Sequence, residues 1–159
     1  MIIALTVYLN VYLMRIGVLM FEIKKTQSCL GAYVKGLDLS KSFSERTLGG
    51  LKNALSDNEV LFFRNQNITH EDHKRLASSF GLLQTHPAYP TIDGFPEITI
   101  LENDEKNPSK IEEWHTDMTF KKNPPLGSIL IGKIIPETGG DTMFSSLSKA
   151  YDDLSQEWK

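Results

Sequence analysis

The first twenty residues, MIIALTVYLNVYLMRIGVLM, pose any fold the problem of where to put them. Sixteen are hydrophobic, and only Thr6, Asn10, Arg15 and Gly17 interrupt the run. A membrane-crossing helix needs ~20 mostly apolar residues, so the length is at the limit. Arg15 would sit inside such a span, at a cost of about 2.5–3.5 kcal/mol. A secretory leader opens with basic residues and ends on small ones at a cleavage site, and neither feature is present. Three readings stand: an upstream stretch outside the working domain, a membrane anchor, or a buried strand or helix. Met14 and Met20 offer internal starts, so the segment is read as an apolar N-terminal extension, residues 1–20, outside a domain that occupies residues 21–159.

The remainder is ordinary globular sequence. Over 159 residues the chain is 40% hydrophobic and 23% charged, which excludes wholesale disorder. The net charge of −3 argues against a nucleic-acid partner, which would call for a basic stripe. Cys29 is the single cysteine, so no internal disulfide and no multi-cysteine zinc site is possible. With no targeting segment after Phe21, a cytoplasmic location fits, and a membrane role would depend on residues 1–20 being an anchor.

Local patterns give a mixed, mainly β order of elements. Short strands are expected at Phe21–Lys25, Gly31–Val34, Val60–Phe63, Glu97–Leu101, Ser128–Lys133 and Thr142–Phe144. Ser42 or Ser44 can cap a helix reaching about Asp57, with Leu48, Leu51, Ala54 and Leu55 on one face. Thr69 caps a second helix with Asp72 at capping-box spacing, His73, Leu76, Ala77 and Phe80 inward, and Gly81 as its stop. A last helix from Ser146 carries Leu147, Ala150, Tyr151, Leu154 and Trp158 on one stripe, still in phase at Lys159. The expectation is therefore of a chain that continues.

Chemistry can reside in the histidines, of which there are four: His70, His73, His86 and His115. His70 and Asp72 fall at a helix start, where positions i and i+2 point to nearly opposite faces, so they cannot share an ion. His115 and Asp117 lie in Trp114-His-Thr-Asp-Met-Thr-Phe120, which reads as extended. On a strand, i and i+2 project the same way, and an imidazole and a carboxylate so placed can occupy adjacent positions on one cation. They would be two of the three ligands of the 2-His-1-carboxylate triad of non-haem Fe(II), although Zn²⁺ or Mn²⁺ accepts the same donors. A plain His–Asp hydrogen-bonded pair is the alternative.

The larger pattern is more specific. In order it comprises Gly31-Ala-Tyr-Val-Lys-Gly-Leu-Asp-Leu39, Val60-Leu-Phe-Phe-Arg-Asn-Gln-Asn-Ile-Thr69, Phe80-Gly81 and His86-Pro-Ala-Tyr-Pro90. Then come Trp114–Phe120, Pro124-Pro125 and Pro136-Glu-Thr-Gly-Gly-Asp-Thr142. From Ala32 to Lys159 the chain resembles the taurine dioxygenase (TauD/TfdA) family of Fe(II)- and 2-oxoglutarate-dependent oxygenases. The resemblance implies an α+β, mainly β fold: a double-stranded β-helix (jelly roll) with flanking helices, here incomplete. It implies His115 and Asp117 as iron ligands, Thr142 as a contact of the 2-oxoglutarate carboxylate, His86 and Tyr89 at a substrate sulfonate, and Phe120 beside the substrate. The cofactors implied are Fe(II), 2-oxoglutarate and O₂. The implied reaction is hydroxylation of a small organic acid, taurine or another alkylsulfonate, releasing sulfite and an aldehyde. A full-length protein of this kind would be a homo-oligomer.

Two departures matter. The position of a substrate-binding asparagine is Ile111 here, which suits a different or larger substrate tail. No histidine follows His115 and no arginine follows Arg75, so the distal iron-binding His and the 2-oxoglutarate-binding Arg are not in these residues. The competing functional readings are a non-catalytic fragment of such an enzyme that acts at most as an interaction partner, and a different metal protein that holds Zn²⁺ at His115 and Asp117.

Overall fold

The computed structural model describes residues 2–7, 21–104, 106–108 and 113–159, with backbone alone for residues 2–7. Its main sheet has five strands: β1 (Ile2–Val7), β2 (Glu22–Lys25), β3 (Ala32–Lys35), β4 (Val60–Arg64) and β7 (Gly127–Ile131). They lie in the order β2-β3-β4-β1-β7. β3 and β4 run parallel and the other neighbours antiparallel. A separate hairpin pairs β5 (Thr91–Ile92) with β6 (Phe95–Thr99) around Asp93-Gly94, where Gly94 takes φ +76°.

Alternation sorts the sheet residues. Ala32, Val34, Leu61 and Phe63 face the helices and are buried, while Tyr33 and Phe62 stack across strands on the opposite face at 5.4 Å. Helix α1 (Glu45–Asn58) covers the first face with Leu51, Ala54 and Leu55. Its Ser44 cap accepts the Thr47 N–H. Helix α2 (His70–Ser78) begins with the anticipated reciprocal box, Thr69 and Asp72 each accepting the other's backbone N–H. Leu76 carries α2 into the same core. A short α3 (Leu147–Asp152) follows Ser146. Where α1 meets β4, Glu59 stands at φ 63° and its carboxylate accepts from Ser146 and Ser148, so the α1–β4 turn holds the start of α3.

Several expectations are corrected. Of the apolar extension, Ile2–Val7 pairs with both β4 and β7, and residues 8–20 lie outside the described residues; the boundary at residue 21 stays a proposal. Thr142–Phe144 is not a strand, because Gly139 and Gly140, both at positive φ, leave the chain in an open loop. The last helix ends at Asp152, and Leu147, Tyr151, Leu154 and Trp158 of its expected stripe are exposed. Without a surface to bury that stripe, helical periodicity alone does not extend the helix. The jelly-roll expectation is met in part: among the described residues there are helices on one face of a mixed sheet and a hairpin, and closure into two facing sheets is not seen. No described helix is long and apolar enough to cross a membrane.

Candidate metal and substrate site

The core lies early in the chain. Its buried apolar cluster runs from Phe21 to Leu76. The site residues come later, on loops that this core anchors at few points, and Met118 is the buried side chain in their midst.

Trp114–Phe120 is not a strand: it is irregular to Thr116, bends at Asp117 and Met118 and turns at Thr119-Phe120. Met118 takes φ 56° and the Lys121 N–H returns to its carbonyl. The Thr116 and Thr119 hydroxyls meet at 2.6 Å inside the loop. The turn begins at Met118, just after Asp117. His115 Nε2 lies 3.3 Å from Asp117 Oδ1.

The ring's orientation is informative. His115 Nδ1 lies 2.9 Å from the Glu113 carbonyl oxygen. A carbonyl only accepts, so Nδ1–H donates and the lone pair of the neutral ring is on Nε2. That lone pair faces a carboxylate oxygen, and both groups are about half exposed, 53% and 57%. Two acceptors this close call for a proton or a cation between them. Metal-bound histidines characteristically donate their other ring N–H to a carbonyl or carboxylate. One imidazole and one carboxylate fit a divalent first-row cation. Among the described residues no cluster of three or more such donors occurs, so the pair is a partial donor set.

A second pair forms upstream. The rings of His86 and Tyr89 lie 4.7 Å apart, and the Ala88 N–H donates to His86 Nδ1 at 3.2 Å. This tight loop leaves Nε2–H of the His86 ring and the Tyr89 hydroxyl as donors with no acceptor among the described residues. Phe120 is 75% exposed. Thr142 is exposed just beyond Gly139-Gly140. Neither belongs to the two pairs. Ile111 lies outside the described residues.

Gln84 and Lys121 were not singled out by the sequence pattern. The Lys121 ammonium donates to Gln84 Oε1 at 2.9 Å, and Gln84 Nε2 donates to the Asn123 carbonyl at 3.2 Å. Gln84 thus ties the loop that carries His86 to the one that carries His115 and Asp117. Its position two residues before His86 is the sole sequence cue. The other histidines are structural. His70 packs on Phe95 at 5.5 Å, and His73 Nε2–H donates to the Ile129 carbonyl at 3.1 Å.

Comparisons with known proteins agree with one another. Residues 22–159 match the family model "Taurine catabolism dioxygenase TauD, TfdA family". An alkylsulfatase of Acinetobacter baylyi is 37% identical over 136 residues, 85% of this chain and 42% of the relative. An alpha-ketoglutarate-dependent sulfate ester dioxygenase of Pseudomonas putida is 31% identical over 80% of this chain and 42% of its own length. The crystal structure of a taurine dioxygenase from Burkholderia xenovorans superposes with a TM-score of 0.74 at 34% identity, over 87% of this chain and 49% of that one. This chain therefore spans about half or less of the length of these relatives. It belongs to the TauD/TfdA dioxygenase family.

Proposed function

We propose that this chain contributes the first two metal ligands and part of the substrate pocket of an Fe(II)- and 2-oxoglutarate-dependent dioxygenase. Its substrate is a small organic acid, an alkylsulfonate such as taurine or a related sulfate ester. The observation that carries the reading is the His115–Asp117 pair, with Nε2 and Oδ1 3.3 Å apart and the imidazole proton held on Nδ1 by Glu113. The family's jelly roll, closed by further strands, is part of the same reading, as are a cytoplasmic location and homo-oligomerisation.

The roles follow from the side chains. His115 Nε2 and Asp117 Oδ1 hold the cation, and the Glu113 carbonyl fixes the ring so that it need not reorient. When bound, the iron couples decarboxylation of 2-oxoglutarate by O₂ to oxidation of a substrate carbon. The Thr142 hydroxyl donates to a carboxylate oxygen of 2-oxoglutarate. His86 Nε2–H and the Tyr89 hydroxyl donate to the anionic head of the substrate, where hydrogen bonds to a charged acceptor are the strong ones. Phe120 forms an apolar wall for the substrate carbon and, once covered, excludes water. Gln84 and Lys121 keep the anion-binding loop and the metal loop in register.

Within these 159 residues the triad lacks its second histidine, and no arginine after Arg75 can pair the far carboxylate of 2-oxoglutarate. The chain by itself is expected to form no substrate-dependent succinate. The test is a chimera in which the remaining half of the Acinetobacter baylyi alkylsulfatase follows Lys159. Anaerobic Fe(II) plus 2-oxoglutarate should give a weak visible charge-transfer band in the chimera. His115→Ala should abolish it, and His86→Ala should preserve it while weakening use of the anionic substrate. A band unchanged in His115→Ala would overturn the ligand assignment. Robust succinate formation by the 159-residue chain alone would overturn the division of the site.

A further inference from the structure

We propose that the cleft where β3 and β4 end binds a small organic phosphate, a monoester with an apolar or aromatic body. Lys35 and Arg64 hold its anionic head, and Tyr33, Val34 and Leu37 face its body. None of these residues belongs to the His115–Asp117 or His86–Tyr89 pairs.

Strand register brings the charges together. β3 and β4 run parallel, with Tyr33 opposite Phe62 and Val34 opposite Phe63. One residue further on, the same register sets Lys35 beside Arg64. Val34 and Phe63 are buried against the helices, so alternation turns Tyr33, Lys35, Phe62 and Arg64 to the other face of the sheet. Like charges on neighbouring strands repel. Among the described residues neither cation has a carboxylate within ion-pair distance. On β2, Glu22 stands opposite Lys35 and Lys24 opposite Tyr33, so this end of the sheet face sets three cations against one acid.

The cleft is framed as well as charged. Gly36 at φ 84° and Asn65 at φ 56° turn the two chains just past the strand ends. A cavity of about 320 Å³ lies there, lined by residues 33–37 and 64–66. Gln66 braces it. Its Nε2 donates to the Leu37 and Arg64 carbonyls at 3.1 and 3.0 Å, and its Oε1 accepts the Leu39 N–H at 2.9 Å. The Arg64 guanidinium lies 5.6 Å from the centre of the Tyr33 ring, which Phe62 supports at 5.4 Å. Contact with a ring face uses none of the guanidinium N–H donors, so Arg64 is placed and its fork stays open to a ligand. The volume is at the low end for small-molecule sites, which suits a one-ring body. A planar fork grips phosphate with two hydrogen bonds, and an ammonium adds a point charge. A phosphate monoester carries about −1.5 to −2 at pH 7, which matches two cations better than a carboxylate or a sulfate ester does.

The experiment titrates phenyl phosphate into the full 159-residue chain without metal and follows backbone amides by NMR. Phenyl sulfate, inorganic phosphate and phenol are the comparisons. The expected result is saturable shifts centred on residues 33–37 and 64–66, with phenyl phosphate bound about tenfold more tightly than each of the other three. Arg64→Gln and Lys35→Gln should each weaken it about tenfold, and Arg64→Lys, which keeps the charge but not the fork, should weaken it by roughly half as much on a logarithmic scale. Tyr33→Leu should bring phenyl phosphate down to the level of inorganic phosphate. Lys24→Gln, one strand away, tells a site from a diffuse field and should change affinity by about twofold or less. Equal weakening by Lys24→Gln and Arg64→Gln would overturn the proposal, as would shifts that do not saturate. Shifts led by His86 and Tyr89 would overturn it too, since phosphate would then be entering the anion site of the substrate.

Discussion

His73 shows how a single side chain couples the helical layer to the sheet. It lies on α2, half-buried, and its Nε2–H serves a β7 carbonyl. Burial, with lesser contributions from the nearby His70 and Lys133 charges, holds its pKa below the usual imidazole value of 6.5 despite the hydrogen bond. The unfolded chain therefore takes up this proton first as the pH falls. The stabilisation is complete above pH 6.5 and declines as the pH drops below it toward the folded-state value. Urea midpoints between pH 8 and 5 should fall in the acid half of that range, and His73→Gln, which can still donate, should flatten the dependence. Asp38 and Asp72 act in a lower window. Hydrogen bonds hold both below the ordinary carboxylate range, so their contribution is lost only as the pH falls below about 4. At the cap, Thr69→Ala should cost about 1 kcal/mol, and Leu51→Ala in the dry core about 2–5 kcal/mol, both read by chemical denaturation. The His115–Asp117 pair was legible as a pair from its spacing. The turn that follows it was not, because the φ of 56° at Met118 belongs to a residue type giving no such signal.

At the scale of elements, local chemistry was most legible where it was self-contained. The Ser44 and Thr69 caps and the inward faces of α1 and α2 follow from residues within a turn of each other. The strands at Val60 and Ser128 follow from β-branched and aromatic runs between turn residues. The β5–β6 hairpin, by contrast, rests on a two-residue strand, too short for alternation to register. Only Asp93-Gly94 announces it. The last helix was misjudged in length because its apolar stripe stays exposed among the described residues. Its N-terminus is held instead by Glu59, a residue far away in sequence whose positive φ and carboxylate both serve the junction. Glu59→Gly suits that φ while removing the acceptor. It should leave the denaturation midpoint nearly unchanged and speed amide exchange in Lys149–Asp153. Equal slowing or no change there would show that Ser146 and Ser148 do not need Glu59.

At the scale of the molecule, the family was readable because its marks are short polar blocks in fixed order, and these survive in the sequence whatever surrounds them. The insertion of Ile2–Val7 between two family strands was not readable. An apolar run reports that it must be hidden, and strand partners far apart in sequence are what decide where. Early residues thus supply the core, and later residues supply loops that present His115, Asp117, His86 and Tyr89. The central claim is that His115 and Asp117 together face one cation. Substoichiometric Mn²⁺ added to the 159-residue chain, followed by NMR, tests it most directly. The account predicts that the His115 ring and the Asp117 amide broaden first, and that Asp117→Asn weakens the effect at His115. Broadening that begins at His70, His73 or His86, or that leaves His115 sharp, would contradict it.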